Sequence, residues 1–213
     1  MRAPDPRTRR LPAAERRTTI LEAAIAVFGE RGYHGASIDL IAKQAGVSKA
    51  LIYEHFASKR ELHASLLEDQ VGELFARLAV NAQAGRTGEA RLRGGVEEFL
   101  AFVEERREAF RLLFRDLADP EVAEALSRVH AQVGGLLAAL MEGSGDGAAA
   151  RPLGGSEEER GRALELLAVQ LSGALQALAN WWDAHPEVPR AELVDRAVDF
   201  AWTGLRQLRR APA

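Results

Sequence analysis

Several polar residues between positions 49 and 60 combine positive charge with hydrogen-bond donors, a chemistry that binds anions. They are Lys49, Tyr53, His55, Lys59 and Arg60. Lys59 and Arg60 stand at the start of a predicted helix, where a positive charge opposes the helix dipole by about 0.3 kcal/mol or more. A phosphate group opposite them would remove that cost, whereas the alternative is a solvated helix start. This group of residues therefore favours contact with a polyanion.

Patterns that carry catalysis or hold metals are missing from the sequence. There is no cysteine, and the five histidines show neither H-E-x-x-H nor another metal spacing. Neither G-x-S-x-G nor a phosphate-binding glycine loop occurs. We therefore predict no catalytic residue, no metal site and no cofactor, and we do not expect an enzyme.

The net charge of −3 hides a strong asymmetry along the chain. Residues 1–60 hold 11 Lys and Arg against 6 Asp and Glu, a net of +5. Residues 61–213 hold 17 against 25, a net of −8. A basic end on an acidic protein is a hint of nucleic-acid binding.

Length and composition place the chain among ordinary globular proteins. It has 213 residues, 47% of them hydrophobic and 28% charged, which is enough to bury a core. The longest apolar run, Leu136 to Met141, is far shorter than the ~20 residues that cross a bilayer. No apolar stretch follows the amino-terminal arginines in the manner of a signal peptide. We expect a soluble cytoplasmic protein without a membrane partner.

Residues 37–56 have the pattern of two short helices joined by a tight turn. Ser37 and Ser48 are suited to cap the two helices, and Gly46 follows the first, where a left-handed residue ends a helix. Apolar residues at helical spacing lock both helices against a preceding one, predicted from about residue 12 to 31. This is a helix-turn-helix, whose second helix is free to enter a major groove.

Three segments between residues 16 and 62 carry a family resemblance. They read Arg-Arg-Thr-Thr-Ile-Leu-Glu-Ala-Ala, Phe-Gly-Glu-Arg-Gly-Tyr and Val-Ser-Lys-Ala-Leu-Ile-Tyr-Glu-His-Phe-Ala-Ser-Lys-Arg-Glu-Leu. Together they resemble the N-terminal domain of the TetR/AcrR family of bacterial transcriptional regulators. The resemblance covers the DNA-binding part specifically, and the rest of the chain only in architecture.

The resemblance implies which residues contact DNA. Backbone phosphates are contacted from the start of the second helix, from the third helix and from the start of the fourth, which here means Ser37, Tyr53, His55 and Lys59. Base edges are read from the start of the third helix. This start consists of the capping residue Ser48 and the first turn, Lys49, Ala50 and Leu51. The family often has Gly at position 50 and Thr at position 51. The methyl group of Ala50 can touch a thymine methyl, whereas Leu51 lacks a hydroxyl for hydrogen-bond readout.

Structural alternatives exist for these residues. For Tyr53 the alternative is packing between the third and fourth helices, and for His55 it is a satisfied, partly buried position. Residues 1–12 form a basic arm that either reaches a minor groove or is a disordered polar tail.

The remainder of the chain shows apolar stripes at helical spacing, so we predict an all-α protein of about nine helices. The pairs Gly94-Gly95 and Gly134-Gly135 weaken these helices and mark a boundary or a kink. Residues 143–156 are rich in glycine and predict a flexible loop. Two strong helices follow it.

Two functions are predicted for this C-terminal part. By resemblance, an aromatic cluster lines an inducer pocket suited to flat hydrophobic ligands, although an aromatic core is the alternative; its members are Phe75, Phe99, Phe102, Phe110 and Phe114. The last two helices resemble a dimer interface, and the residues expected there are Leu171, Leu175, Leu178, Trp182, Ala197, Ala201 and Gly204. Packing within one chain is the alternative.

We therefore predict a DNA-binding domain over residues 13–60 and a ligand-binding and dimerisation domain over residues 61–210. The predicted function is a homodimeric repressor, released from a palindromic double-stranded operator by a small, largely hydrophobic inducer. The alternatives are an activator or dual regulator of the same fold, or a DNA-binding protein without a ligand.

Overall fold

The computed structural model describes residues 12–84, 87–114 and 156–209, together with Ala131 and Gly135. All regular elements in these residues are α-helices, so the all-α prediction is confirmed. The eight helices are α1 (Ala13–Gly35), α2 (Ile38–Ala45), α3 (Lys49–His55), α4 (Lys59–Ala84), α5 (Gly88–Glu105), α6 (Arg107–Phe114), α7 (Glu157–Ala184) and α8 (Arg190–Arg209). The predicted arm, the Gly134-Gly135 kink and the glycine-rich loop lie almost entirely outside the described residues.

The chain divides into two compact units between Leu66 and Leu67, inside α4. The predicted functional division at residue 60 stays a prediction.

In the first unit, α1 packs against α2 and α2 against α3. The core consists of apolar residues that recur every three or four positions, which places them on one face of each helix. These buried residues include Ile20, Ala24, Phe28, Ile38, Ile41 and Ile52. The predicted end of the first helix near residue 31 agrees with the structure, because Gly32 interrupts α1 with φ 68° and ψ 174° and only one further turn follows it.

In the second unit, α5 packs against α6, α7 and α8. It runs unbroken through Gly94-Gly95, so the predicted boundary at this pair is wrong. Its buried side chains, including Leu92, Val96 and Leu100, stabilise the helix by more than two glycines cost.

Ion pairs link the same helices of the second unit. Arg111 of α6 donates two hydrogen bonds to Asp183 of α7, each 3.0 Å long. Arg93 pairs with Asp195 at 2.6 Å, and thereby joins α5 to α8. No helix in the described part of the chain is both long and apolar enough to cross a bilayer.

The glycines at positions 46 and 95 should respond to alanine in opposite directions. Gly46 has φ 65°, a left-handed conformation that costs an alanine about 1 kcal/mol or more. Gly95 lies within α5, and a Cβ there meets no atom within 4 Å. We expect Gly46→Ala to destabilise the protein and Gly95→Ala to stabilise it by about 0.5–1 kcal/mol. Urea unfolding measures both; the same sign for both would contradict this account.

Candidate nucleic-acid interface

The helix-turn-helix is built by local capping. The Ser37 hydroxyl accepts a hydrogen bond from the Leu40 N–H, and the Ser48 hydroxyl accepts one from the Leu51 N–H, each at 3.2 Å. Gly46 ends α2 in the left-handed conformation that the sequence predicted. Both predicted caps and the turn are therefore confirmed.

Two buried residues hold α3 in place, while Leu51 and His55 are half-buried and the remaining side chains of the helix are exposed. Ile52 is fully buried, and Phe56 is buried beneath the guanidinium of Arg17, whose Cζ lies 5.4 Å from the ring centroid. Lys49 and Ala50 are exposed, and Tyr53 is 48% exposed. About half of the Tyr53 surface is thus open to solvent, and its predicted phosphate contact stays a prediction.

Lys49 forms an ion pair that the sequence analysis missed. Its ammonium donates to the Oδ2 atom of Asp39 in α2 at 3.0 Å. This hydrogen bond and the charge of Asp39 raise the pKa of Lys49. The pair lies on the exposed side of the helix-turn-helix, where a carboxylate and a base-reading candidate share one surface. In the sequence, Asp39 is typical of an acidic residue that stabilises the dipole at the start of a helix. Its pairing with Lys49 was not evident, because the two residues are ten positions apart.

His55 is half-buried at the end of α3. Its Nε2 atom is buried and has no hydrogen-bond partner. The satisfied core histidine that the sequence analysis weighed is therefore not what the structure shows. A phosphate contact from this atom requires the ring to turn.

Lys59 lies at the start of α4 but is directed toward the end of α1. Its ammonium donates to the carbonyl oxygens of Tyr33 at 2.7 Å and Ala36 at 3.0 Å. It also lies 4.2 Å from the centroid of the Tyr33 ring. These carbonyl oxygens supply, within the protein, the partial negative charge that offsets a cation at a helix start. The predicted phosphate contact of Lys59 stays a prediction.

Two family models match the chain. The model of bacterial regulatory proteins of the tetR family matches residues 20–66, and a tetracyclin repressor-like C-terminal domain matches residues 89–204. The chain belongs to the tetR family. Members of this family are DNA-binding transcription regulators rather than enzymes.

Relatives extend the match to nearly the whole chain. The transcriptional activator FasR of Mycolicibacterium smegmatis is 34% identical over 93% of this chain and 87% of its own. A TetR-like regulator from Rhodococcus sp. RHA1 superposes with a TM-score of 0.75, at 31% identity, over 92% of this chain and 99% of its own. The regulator FadR of Bacillus subtilis, solved in complex with stearoyl-CoA, shares the fold with a TM-score of 0.65 at 18% identity, over 92% and 99% of the two chains.

Three of the residues predicted for the ligand pocket, Phe99, Phe102 and Phe110, belong to the core of the second unit. Phe99 and Phe110 are buried and meet edge to face, with ring centroids 6.4 Å apart. Phe102 is buried below Arg77, and Phe75 is half-buried. The side chain of Phe114 lies outside the described part, so the predicted pocket stays a prediction.

The residues predicted for the dimer interface separate into two groups. Leu171, Leu175, Leu178 and Ala197 line an open groove of about 210 Å³ between α7 and α8, whose other lining residues are Ala174, Arg196 and Phe200. Ala201 is half-buried beside it and Gly204 is exposed. Trp182 differs from the prediction: it is buried, and its indole N–H donates to the Val188 carbonyl at 2.8 Å. It packs inside the chain because it fixes the turn between α7 and α8.

Two further aromatic residues lie on this surface; the sequence left open which of the two tryptophans, Trp181 or Trp182, belongs to the interface. Trp181 is 46% exposed and stacks on His185 with ring centroids 4.1 Å apart. Phe200 is 75% exposed. Phe200 belongs to the apolar stripe of α8, and a position at helical spacing in such a stripe is typical of a buried residue. Only the folded chain shows that this ring faces solvent.

Asp39 should limit binding to DNA of any sequence. Its carboxylate repels phosphates and orients Lys49, so we expect Asp39→Asn to raise affinity for random duplex DNA more than affinity for the operator. The ratio of the two affinities should then fall by about threefold or more, the weight of an exposed ion pair. Fluorescence anisotropy at fixed salt measures both. Asp69→Asn makes the same charge change outside the helix-turn-helix; an equal effect of both variants would contradict a local origin.

Proposed function

We propose that this protein is a cytoplasmic, homodimeric regulator that binds operator DNA. A fatty-acyl ligand changes its affinity for that DNA. Residues 13–60 bind DNA, and residues 61–210 bind the ligand and dimerise. The observation that carries the proposal is the exposed face of α3, presented by a helix anchored through Ile52 and Phe56. Membership of the tetR family supports it.

The proposed DNA contacts fall into two classes. Ser37, Tyr53 and His55 contact phosphates, which sets the register of the protein on DNA. Lys49, Ala50 and Leu51, which follow Ser48, face the base edges. Lys49 exchanges its partner Asp39 for a base acceptor such as guanine, a contact worth ~1–3 kcal/mol when bidentate.

An exposed apolar face supports the homodimer. On α7, Leu166, Val169, Gly173 and Trp181 recur at helical spacing and are all exposed. Phe200 of α8 adds an exposed ring that lines the groove. Exposed apolar side chains that share one face of a helix mark an interaction site, and a two-fold dimer covers the same face on both copies.

Leucine at Gly173 should break the dimer without unfolding the chain. A Cβ at Gly173 meets no atom within 4 Å, and removal of a helical glycine favours the helix by about 0.8–1 kcal/mol. We expect Gly173→Leu to weaken dimerisation by about tenfold or more, because the side chain enters the space of the second copy. Sedimentation equilibrium measures the dissociation constant.

Gly161→Leu is the matched control, since Gly161 is an open helical position on another side of α7. It should gain helix stability and keep the dimer. A wild-type monomer at micromolar concentration, or equal weakening by both variants, would overturn the proposed interface.

The ligand class rests on similarity and on composition. The FadR structure that shares the fold contains stearoyl-CoA, whose acyl chain is long and apolar. The phenylalanines of α4, α5 and α6 supply an apolar, aromatic environment suited to such a chain.

Gln70 supports a ligand with a polar group. It is 6% exposed on the apolar face of α4, and its side-chain oxygen accepts no hydrogen bond. An unsatisfied buried acceptor costs about 1–3 kcal/mol, a cost more common at functional sites than in cores. An acyl-CoA carries amide N–H groups and hydroxyls that can donate to it.

The direction of regulation follows from where the operator lies relative to the promoter. Repression is the direction proposed from the sequence. The name of FasR, a transcriptional activator, favours the alternative. Selection of the operator from random DNA, followed by its location upstream of or across a promoter, decides between them.

Stearoyl-CoA should bind the protein and release it from the selected operator. Differential binding to the two states shifts DNA affinity typically about 5–150-fold, and DNA must weaken ligand binding by the same factor. Phe110→Leu should reduce ligand affinity and leave operator binding without ligand nearly unchanged. Calorimetry and DNA-shift titration measure both, with CoA and a detergent of equal chain length as controls. Equal ligand affinity of free and DNA-bound protein would overturn the coupling.

A further inference from the structure

The Lys59 ammonium is held by backbone carbonyls rather than left facing solvent. Tyr33 and Ala36, whose carbonyl oxygens accept these hydrogen bonds, belong to the turn that follows Gly32 in α1 and to the residue after that turn. Two of the three N–H groups of the ammonium are thereby used. Lys59 is half-buried, in agreement with these contacts to backbone carbonyls.

The electrostatics of two helix ends explain why a lysine stands there. A cation at the start of α4 opposes the dipole of that helix, but it also lies beside the turn that follows the break at Gly32, where carbonyl oxygens carry partial negative charge. The last carbonyls of a helix lack partners inside the helix. Lys59 supplies donors to two carbonyls at this end.

An aromatic cluster surrounds the same contact. The Tyr33 ring lies under the ammonium, stacks on Phe28 at 6.1 Å between ring centroids, and contacts His63 at 4.8 Å. His63 is 1% exposed and belongs to α4. The cluster thus joins the start of α4 to the end of α1 through the buried rings of Phe28 and His63 and the half-buried ring of Tyr33.

The contact sits immediately before the helix-turn-helix. Gly32 breaks α1, Ala36 caps it by donating its N–H to the Gly32 carbonyl at 3.2 Å, and Ser37 then caps α2. Lys59 therefore fixes the residue from which α2 departs. A change in the direction of α2 carries α3 with it, because the two helices pack together through a tight turn.

We propose that Lys59 is a positioning residue, which locks the corner between α1 and α2 to the start of α4 and so sets the orientation of α3. This assignment replaces the phosphate contact that the family resemblance implies for Lys59. Its DNA readout rests on the proposed function, whereas its exchange readout does not.

Hydrogen exchange of the DNA-free protein tests the lock directly. Lys59→Met removes the ammonium and keeps an apolar stem over the Tyr33 ring. We expect the amides of Ala36, Leu40 and Ile41 to exchange about tenfold faster or more, the weight of one charge-assisted hydrogen bond. Amides of α5 should be unchanged. A uniform increase throughout the protein would indicate loss of stability alone and overturn the proposal, as would no change.

Salt titration of DNA binding separates positioning from phosphate contact. For Lys59→Met, we expect operator affinity to fall about tenfold, with affinity for random duplex and the slope of log K against log[salt] unchanged. A lost phosphate contact would instead reduce the slope by ~1 per half-site and weaken both duplexes; that result would overturn the assignment.

Arg60→Met is the matched control, because it removes the same charge from the same turn of α4. It should leave the Ala36, Leu40 and Ile41 amides as in the wild type. If Arg60→Met and Lys59→Met accelerate these amides equally, the carbonyl contacts of Lys59 are not the cause. If the wild-type protein selects no operator, the proposed function fails while the exchange result still decides the position of Lys59.

Discussion

The short helix α3 is stable only because a few buried side chains anchor it, and this leaves much of its surface exposed. A helix of seven residues is not stable alone, since nucleation costs more than so few hydrogen bonds return. Ile52 and Phe56 supply the required burial on one side, and the side chains on the other sides are released from packing. Every further feature of the first unit, from the capping serines to the break at Gly32, serves to keep this short helix in one orientation.

Local signals predicted this part of the fold well. Ser37, Gly46 and Ser48 act on backbone groups within three or four residues, so their effect can be read from the sequence directly. The same is true of the buried stripe of α1, where a period of 3.6 places Ile20, Ala24 and Phe28 on one side. At Gly94-Gly95 the low helix propensity of glycine predicted a boundary that the structure does not have. There, burial of the neighbouring side chains outweighs the propensity of the two glycines.

Contacts between distant residues could not be predicted in the same way. The partners of Lys59 stand more than twenty residues before it, and no pattern in the sequence marks a carbonyl as available. The unfavourable dipole at Lys59 was recognised, but a phosphate and a second helix end satisfy the same electrostatic requirement. Trp182 illustrates the same limit, because burial against the α7–α8 turn and burial against a second copy have one sequence signature.

The helix α4 is constrained differently along its length. Its first turn is tied to α1 by Lys59, while Arg77 further along pairs with Glu73 at 2.9 Å and with Glu105 of α5 at 2.8 Å. Arg77 lowers the pKa of Glu105, so this link persists wherever the carboxylate is ionised. Within the second unit, any displacement of the later turns of α4 works against the ion pairs with α5. Within the first unit, any displacement of the first turn of α4 works against the hydrogen bonds from Lys59 to the carbonyl oxygens of Tyr33 and Ala36. The residue for which the family resemblance implies a phosphate contact is thus the point at which α4 is attached to the helix-turn-helix.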